Sequence, residues 1–219
     1  MELSFIASLL SDKQFAEFLR LGIVYVHLIA CCVAIGLVLT SDIAMTQQLF
    51  KAERCSASDA HHLTSLQKTV SWSLIVLWIT GFAIVGIDVA DKGLVYFENP
   101  KIQAKIAIVA LLTLNGFVLH AAVLPAVQRV GSLLDLSVGM RTLALFSGAF
   151  SAVSWFYAAM LGVGRPLAWK YSLLELMAAY PLLIVGGFTS MMLLTHWSKK
   201  TLEAKENGWN NTLVVASRK

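Results

Sequence analysis

Five stretches of the chain are almost free of charged side chains and are separated by polar breaks: 21–39, 70–87, 106–127, 143–163 and 173–195. About 20 apolar residues in helical form cross the hydrocarbon core of a bilayer. The pattern therefore predicts five membrane-spanning helices joined by short connections. Residues 3–19 read differently. Phe5, Ile6, Leu9 and Leu10, then Phe15, Phe18 and Leu19, are interrupted by Ser11-Asp12-Lys13-Gln14, which suits an interfacial helix lying on the membrane better than a sixth span.

The punctuation between the runs sharpens their limits. Ser41 to Phe50 contains no Gly or Pro and keeps apolar residues at helical spacing, so the first helix is expected to continue past the membrane. Ser56 or Ser58 can cap a helix that starts near Asp59, which places His61 and His62 on turns projecting from the second span. Asp91-Lys92-Gly93 marks a loop, and Asn99-Pro100 opens the third helix with Pro at a tolerated first position. Gly131-Ser132 and Gly139 bracket the next link, while Gly162, Gly164 and Pro166 end the fourth helix. Small residues inside the spans (glycines 22, 36, 81, 86, 116, 148, 186 and 187, with Ser147, Ser151 and Ser154) are expected to let helices approach closely. The predicted architecture is an all-α, five-helix transmembrane bundle in one domain covering 1–219. No internal repeat of the inverted-transporter kind is visible.

Composition agrees with this reading: 58% of residues are hydrophobic and 14% are charged, which leaves no room for a separate soluble domain. Met1-Glu2-Leu3-Ser4 lacks the basic region and small-residue cleavage site of a secretory signal, so the first helix is expected to be retained. The net charge of +4 belongs to membrane flanks, with no basic patch interleaved with aromatics that would suggest nucleic acid. Eight Lys and Arg flank the spans on the C-terminal side against seven on the other. With Arg218 and Lys219 added, the positive-inside rule points to an outside N-terminus and a cytoplasmic C-terminus. Cys31 and Cys32 adjoin in the first span and Cys55 lies in a loop, with no Cys-x-x-Cys-His for covalent haem.

Ionisable side chains inside a bilayer are expensive and mark function, and two histidines, His27 and His120, sit within the runs. Ala30, Cys31 and Ala34 share the face of His27. Thr113, Gly116 and Phe117 share that of His120. An imidazole with small neighbours is what a haem held between helices requires, so both are candidate iron ligands. Their depths differ by roughly 10 Å at 1.5 Å per residue, so one shared haem would need tilted or shifted helices, and separate haem sites are the alternative. His196, at the end of the fifth span, and the His61-His62 pair are further candidates on the C-terminal side. Lys105, one turn after Pro100, either snorkels at the helix end or faces an acidic group such as a porphyrin propionate; Glu175 could instead neutralise it. Asn115 near the centre of the third span needs a partner and is expected to fix helix packing. The methionines are scattered without a Met-x-x-x-Met ladder, so they read as packing residues. No hydrolytic constellation or nucleotide loop is present.

Three segments carry a family resemblance: Val26-His27-Leu28-Ile29-Ala30 followed by Gly36, Trp78-Ile79-Thr80-Gly81-Phe82, and Asn99-Pro100-Lys101-Ile102-Gln103-Ala104-Lys105-Ile106-Ala107-Ile108-Val109. Over about residues 20–120 the chain resembles small bacterial membrane proteins of the J-type protoporphyrinogen oxidase kind and the related copper-resistance D-type proteins. The resemblance implies that His27, as the first-helix histidine, binds haem b and that Lys105, as the lysine opening the third helix, is functionally required. Two departures stand out: Asp42 lies where the family has an arginine after the first helix, and His120 falls later relative to Lys105 than the family's third-helix histidine. The expected function is a b-type haem protein transferring electrons within or across the bilayer, with lipid, and with quinone or another redox protein, as partners; homo-oligomerisation stays open. The alternatives are a haem-dependent porphyrinogen or small-molecule oxidase and a copper or small-solute permease.

Overall fold

The computed structural model describes residues 13–51, 57–167 and 169–216, with side chains over 14–51, 66–164, 166–167 and 169–205. These residues form helices α1 (Lys13–Lys51), α2 (Ala57–Lys92), α3 (Pro100–Val118), α4 (Leu124–Val130), α5 (Val138–Val163) and α6 (Leu173–Ala216), and no strand occurs among them. A π turn, Leu119–Val123, joins α3 to α4, so the two make one continuous column. Five membrane-length segments result: Gln14–Lys51, Leu66–Lys92, Pro100–Val130, Val138–Val163 and Leu173–Lys205. Only 11% to 33% of the residues in their apolar windows are buried inside the protein. Leu21, Leu28, Phe82, Val163, Leu182 and Val185 all face outward, an apolar exterior that matches lipid and not water. The chain is a multi-pass transmembrane bundle.

The helices run past the predicted spans at both ends. α1 reaches Lys51, as the unbroken stretch after Ser41 implies. At its other end, residues 13–19 are the opening turns of α1 itself and not part of a separate surface helix; residues 3–12 of that expected element lie outside the described residues. α2 starts at Ala57, two residues before the expected start, so Ser58 lies inside the helix and does not cap it; Ser56 lies outside the described residues, as do the side chains of His61 and His62, which fall within α2. Asn99 caps α3, its side chain accepting from the Lys101 amide at 3.1 Å, with Pro100 in the first turn. Gly131 ends α4 at φ 81°, a conformation that suits glycine. Ser137 caps α5.

Three apolar clusters hold the described bundle, the smallest being Val123, Leu136 and Ala144 at the π turn and the start of α5. Ala30 and Ala34 of α1 meet Leu77 of α2, Leu112 of α3 and Trp155 of α5. Ala104 and Ile108 of α3 meet Tyr157 and Leu161 of α5 and Leu176, Tyr180 and Ile184 of α6. Hydrogen bonds between helices add direction: Trp78 Nε1 donates to Thr113 Oγ1 at 3.0 Å, Asn115 Nδ2 to the Ser147 carbonyl at 2.9 Å, and the Tyr157 hydroxyl to the Leu176 carbonyl at 2.6 Å. Asn115 thus fixes packing, as expected. The glycines behave otherwise than predicted. A Cβ on Gly187 would touch Ala149 at 3.6 Å, but one on Gly22, Gly36, Gly86, Gly116, Gly148 or Gly186 would meet nothing within 4 Å. Most of these positions turn outward, because helix rotation is set by the buried Ala, Leu and aromatic contacts.

Candidate functional site

His27 projects from the middle of α1 toward α2. Its Nδ1 lies 2.7 Å from Thr80 Oγ1, and the Thr80 hydroxyl donates back to the Val76 carbonyl at 2.6 Å. A hydroxyl has a single proton, and here the helix carbonyl takes it. The imidazole is therefore the donor, in the Nδ1–H tautomer, and Nε2 carries the lone pair. No second hydrogen bond to the ring occurs among the described residues. A ring nitrogen that donates to a fixed acceptor while its partner nitrogen stays free is the usual arrangement of a metal-binding histidine.

The surroundings are small on one side only. A Cβ on Gly81 would sit 3.8 Å from His27 Cε1. Ala30 and Ala34, expected to leave space beside the ring, are instead filled over by Leu77, Leu112 and Trp155. Lys105 of α3 lies within electrostatic range of His27, Cys31 and Lys101. Its Nζ is 3.9 Å from where a Cβ on Gly162 would stand. No hydrogen bond or ion pair to the Lys105 ammonium occurs among the described residues. Glu175, the anticipated counter-charge, is engaged elsewhere: its carboxylate accepts from the Ser172 amide at 2.7 Å and the Ser172 hydroxyl at 2.8 Å, a capping box that opens α6. Lys101 donates to the Gly164 carbonyl at 2.8 Å, tying the start of α3 to the end of α5.

His120 is in a different place. It sits in the π turn, exposed, with Nε2 2.9 Å from Ser71 Oγ of α2. The Ser71 hydroxyl donates to the Gln67 carbonyl at 2.9 Å, so this ring also serves as the donor. The turn has a covalent cause. Pro125 lacks an N–H and its ring crowds the preceding turn, which a π insertion relieves. A cleft of about 360 Å³ opens here, lined by Lys68, Ser71, Trp72, Ile75, His120 and Leu124. Thr80 and Ser71 are nine residues apart on α2, about 13 Å at the helical rise. The two histidines therefore do not converge, in keeping with the depth difference read from the sequence. His196 is exposed on α6.

One polar cluster escaped the sequence reading. Asp88, 5% exposed near the end of α2, accepts from Arg20 Nε at 3.2 Å and Nη2 at 3.3 Å, from Lys92 Nζ at 3.3 Å and from the Tyr96 hydroxyl at 2.9 Å. It clamps the start of α1 to the end of α2 and to the 3₁₀ turn Leu94–Glu98. The signal was available: a lone acid closing one apolar run and a lone arginine opening the previous one must meet at the same membrane face in a helical hairpin. Burial and the Asp88 carboxylate push the Tyr96 phenol up to about 12.

Among the described residues, no three His, Cys, Asp or Glu side chains gather as a ligand set for a bare metal ion. A haem iron makes a smaller demand, one or two protein ligands, and His27 with its free Nε2 meets it. Compared with protein families, curated proteins and solved structures, the chain matches none.

Proposed function

We propose that this protein is a membrane-embedded b-type haem protein that transfers electrons within or across the bilayer, with His27 as an axial ligand. The observation that carries the reading is the Thr80 hydrogen bond that presents His27 Nε2 as an unprotonated donor inside a membrane segment. Haem, when bound, supplies one-electron chemistry at its iron. The chain's own residues do the rest. Thr80 orients the imidazole and sets its tautomer, Gly81 keeps bulk away from one ring edge, and Lys105 places a positive charge where an acidic edge would be held. The resemblance of residues 20–120 to haem-binding oxidases points to the same two side chains, His27 and Lys105. The charge distribution supports an outside N-terminus and a cytoplasmic C-terminus, and the resemblance implies a bacterial inner membrane.

Lys105 also favours a second reading, a haem-dependent oxidase of porphyrinogens. Its ammonium meets no carboxylate among the described residues, and a porphyrinogen's acid groups would supply one. Both readings are tested by the same preparation. The purified protein, reduced with dithionite, should show a sharp α band of the b type, and haem quantified per chain should fall with His27→Ala. Absence of the band would sink both. Turnover of protoporphyrinogen by the loaded protein would select the oxidase, and its absence the electron carrier.

A further inference from the structure

The cleft at His120 belongs to neither role, and its lining is specific in chemistry. Trp72, Ile75 and Leu124 supply apolar walls, with Trp72 60% exposed. Ser71 stands at the start of the apolar run 70–87, where α2 enters the membrane. A ligand seated there arrives through the lipid and keeps an apolar tail in it. The polar groups are few and of complementary kinds. Lys68 brings donors to the rim, and no carboxylate lines the cleft among the described residues. With the Ser71 hydroxyl donating to the Gln67 carbonyl, His120 Nε2–H donates a hydrogen bond to Ser71, and Nδ1 is the acceptor.

We infer that this cleft seats the head group of a membrane-soluble quinone. A flat ring with carbonyl oxygens at its edge stacks on the Trp72 indole, accepts from Lys68 when oxidised and donates to His120 Nδ1 when reduced, while its tail follows Ile75 into the bilayer. A heavily hydrated head group would lose water against three apolar walls without enough partners to replace it. The inference names the redox partner of the electron carrier proposed above and rests on that reading for its role, but occupation of the cleft requires no haem.

The test is photolabelling of the full chain in detergent with a short-tailed azidoquinone, the adducts mapped by mass spectrometry. Adducts are expected within 68–75 and 119–124 and should be suppressed by excess unlabelled quinone. His120→Leu should weaken labelling about fivefold, the loss of one hydrogen bond. Ile75→Trp, at an exposed position, should block it by filling the cleft from the lipid side. His27→Ala should leave labelling unchanged, and a wild-type chain that shows no haem band yet labels in the cleft upholds the site while removing the carrier reading. Adducts spread over all five spans, or insensitive to unlabelled quinone and to Ile75→Trp, would overturn the inference. So would displacement by anionic phospholipid but not by quinone, which would make the cleft a lipid head-group seat.

Discussion

His27 donates through Nδ1 to the Thr80 hydroxyl at 2.7 Å, and that hydroxyl donates in turn to the Val76 carbonyl at 2.6 Å. This short relay joins α1 to α2 near mid-membrane and decides which imidazole nitrogen is available for coordination. Thr80→Val keeps the shape and removes the acceptor, leaving a buried N–H unsatisfied at a cost of about 1–3 kcal/mol. On the proposed haem reading, the variant should lose haem during purification, measured as haem per chain, and shift the α band of what remains, whereas Thr80→Ser should keep the wild-type haem content and band.

The Arg20 to Asp88 pair is asymmetric in exposure, 45% for the arginine side chain and 6% for the carboxylate. Removal of Asp88 leaves three donors aimed at nothing, while removal of Arg20 leaves a buried charge still held by Lys92 and Tyr96. Breaking a fully buried pair costs about 3–5 kcal/mol, and solvent reaching Arg20 lowers this toward about 2 kcal/mol. Asp88→Ala should depress the thermal midpoint in detergent, followed by circular dichroism, more than Arg20→Ala does. A midpoint unchanged in Asp88→Ala would show that the clamp does not stabilise the hairpin.

Tyr96 lies outside the spans and titrates late, at about 12 against an ordinary value near 10. A raised pKa means that the fold favours the neutral phenol. Its contribution to stability is complete below about pH 10 and is lost as pH rises through about 12. Difference absorbance of phenolate should show Tyr96 ionising late in wild type, and the amplitude of the late step should fall by one tyrosine in Tyr96→Phe.

Asn115 Nδ2 donates to the Ser147 carbonyl at 2.9 Å across α3 and α5. Interhelical hydrogen bonds in membranes are worth about 0.6 to 2 kcal/mol. Asn115→Leu should destabilise by that amount in a reversible detergent unfolding titration and leave the haem spectrum unchanged, since the contact is structural.

Gly187 and Gly186 are neighbours in sequence with opposite expectations. A Cβ at 187 meets Ala149 at 3.6 Å and Val153 at 3.8 Å, while one at 186 meets nothing within 4 Å. Gly187→Leu should overpack α5 against α6 and cost about 1–3 kcal/mol. Gly186→Leu should be close to neutral in the monomer, and a large loss there, read by thermal unfolding, would reveal a partner surface on that face.

The number of spans, their order, the cap at Asn99-Pro100 and the stop at Gly131 were all legible in the chain, because each depends on hydropathy and backbone chemistry within a few residues. The bilayer makes that information strong, since every backbone group in it must be satisfied within its own helix. What lay beyond reach was the rotation of each helix and its register against the next. His27 and His120 look alike as isolated imidazoles in apolar runs, yet one meets Thr80 and the other Ser71, about 13 Å apart on α2. Ala30 and Ala34 read as space for a cofactor and proved to be packing against Trp155; most of the glycines read as packing and proved to face outward. Lipid tails are as apolar as the side chains, so the periodicity of a span does not say which face turns inward. The tertiary structure decided that through a few polar bonds and the fit of large side chains against small ones.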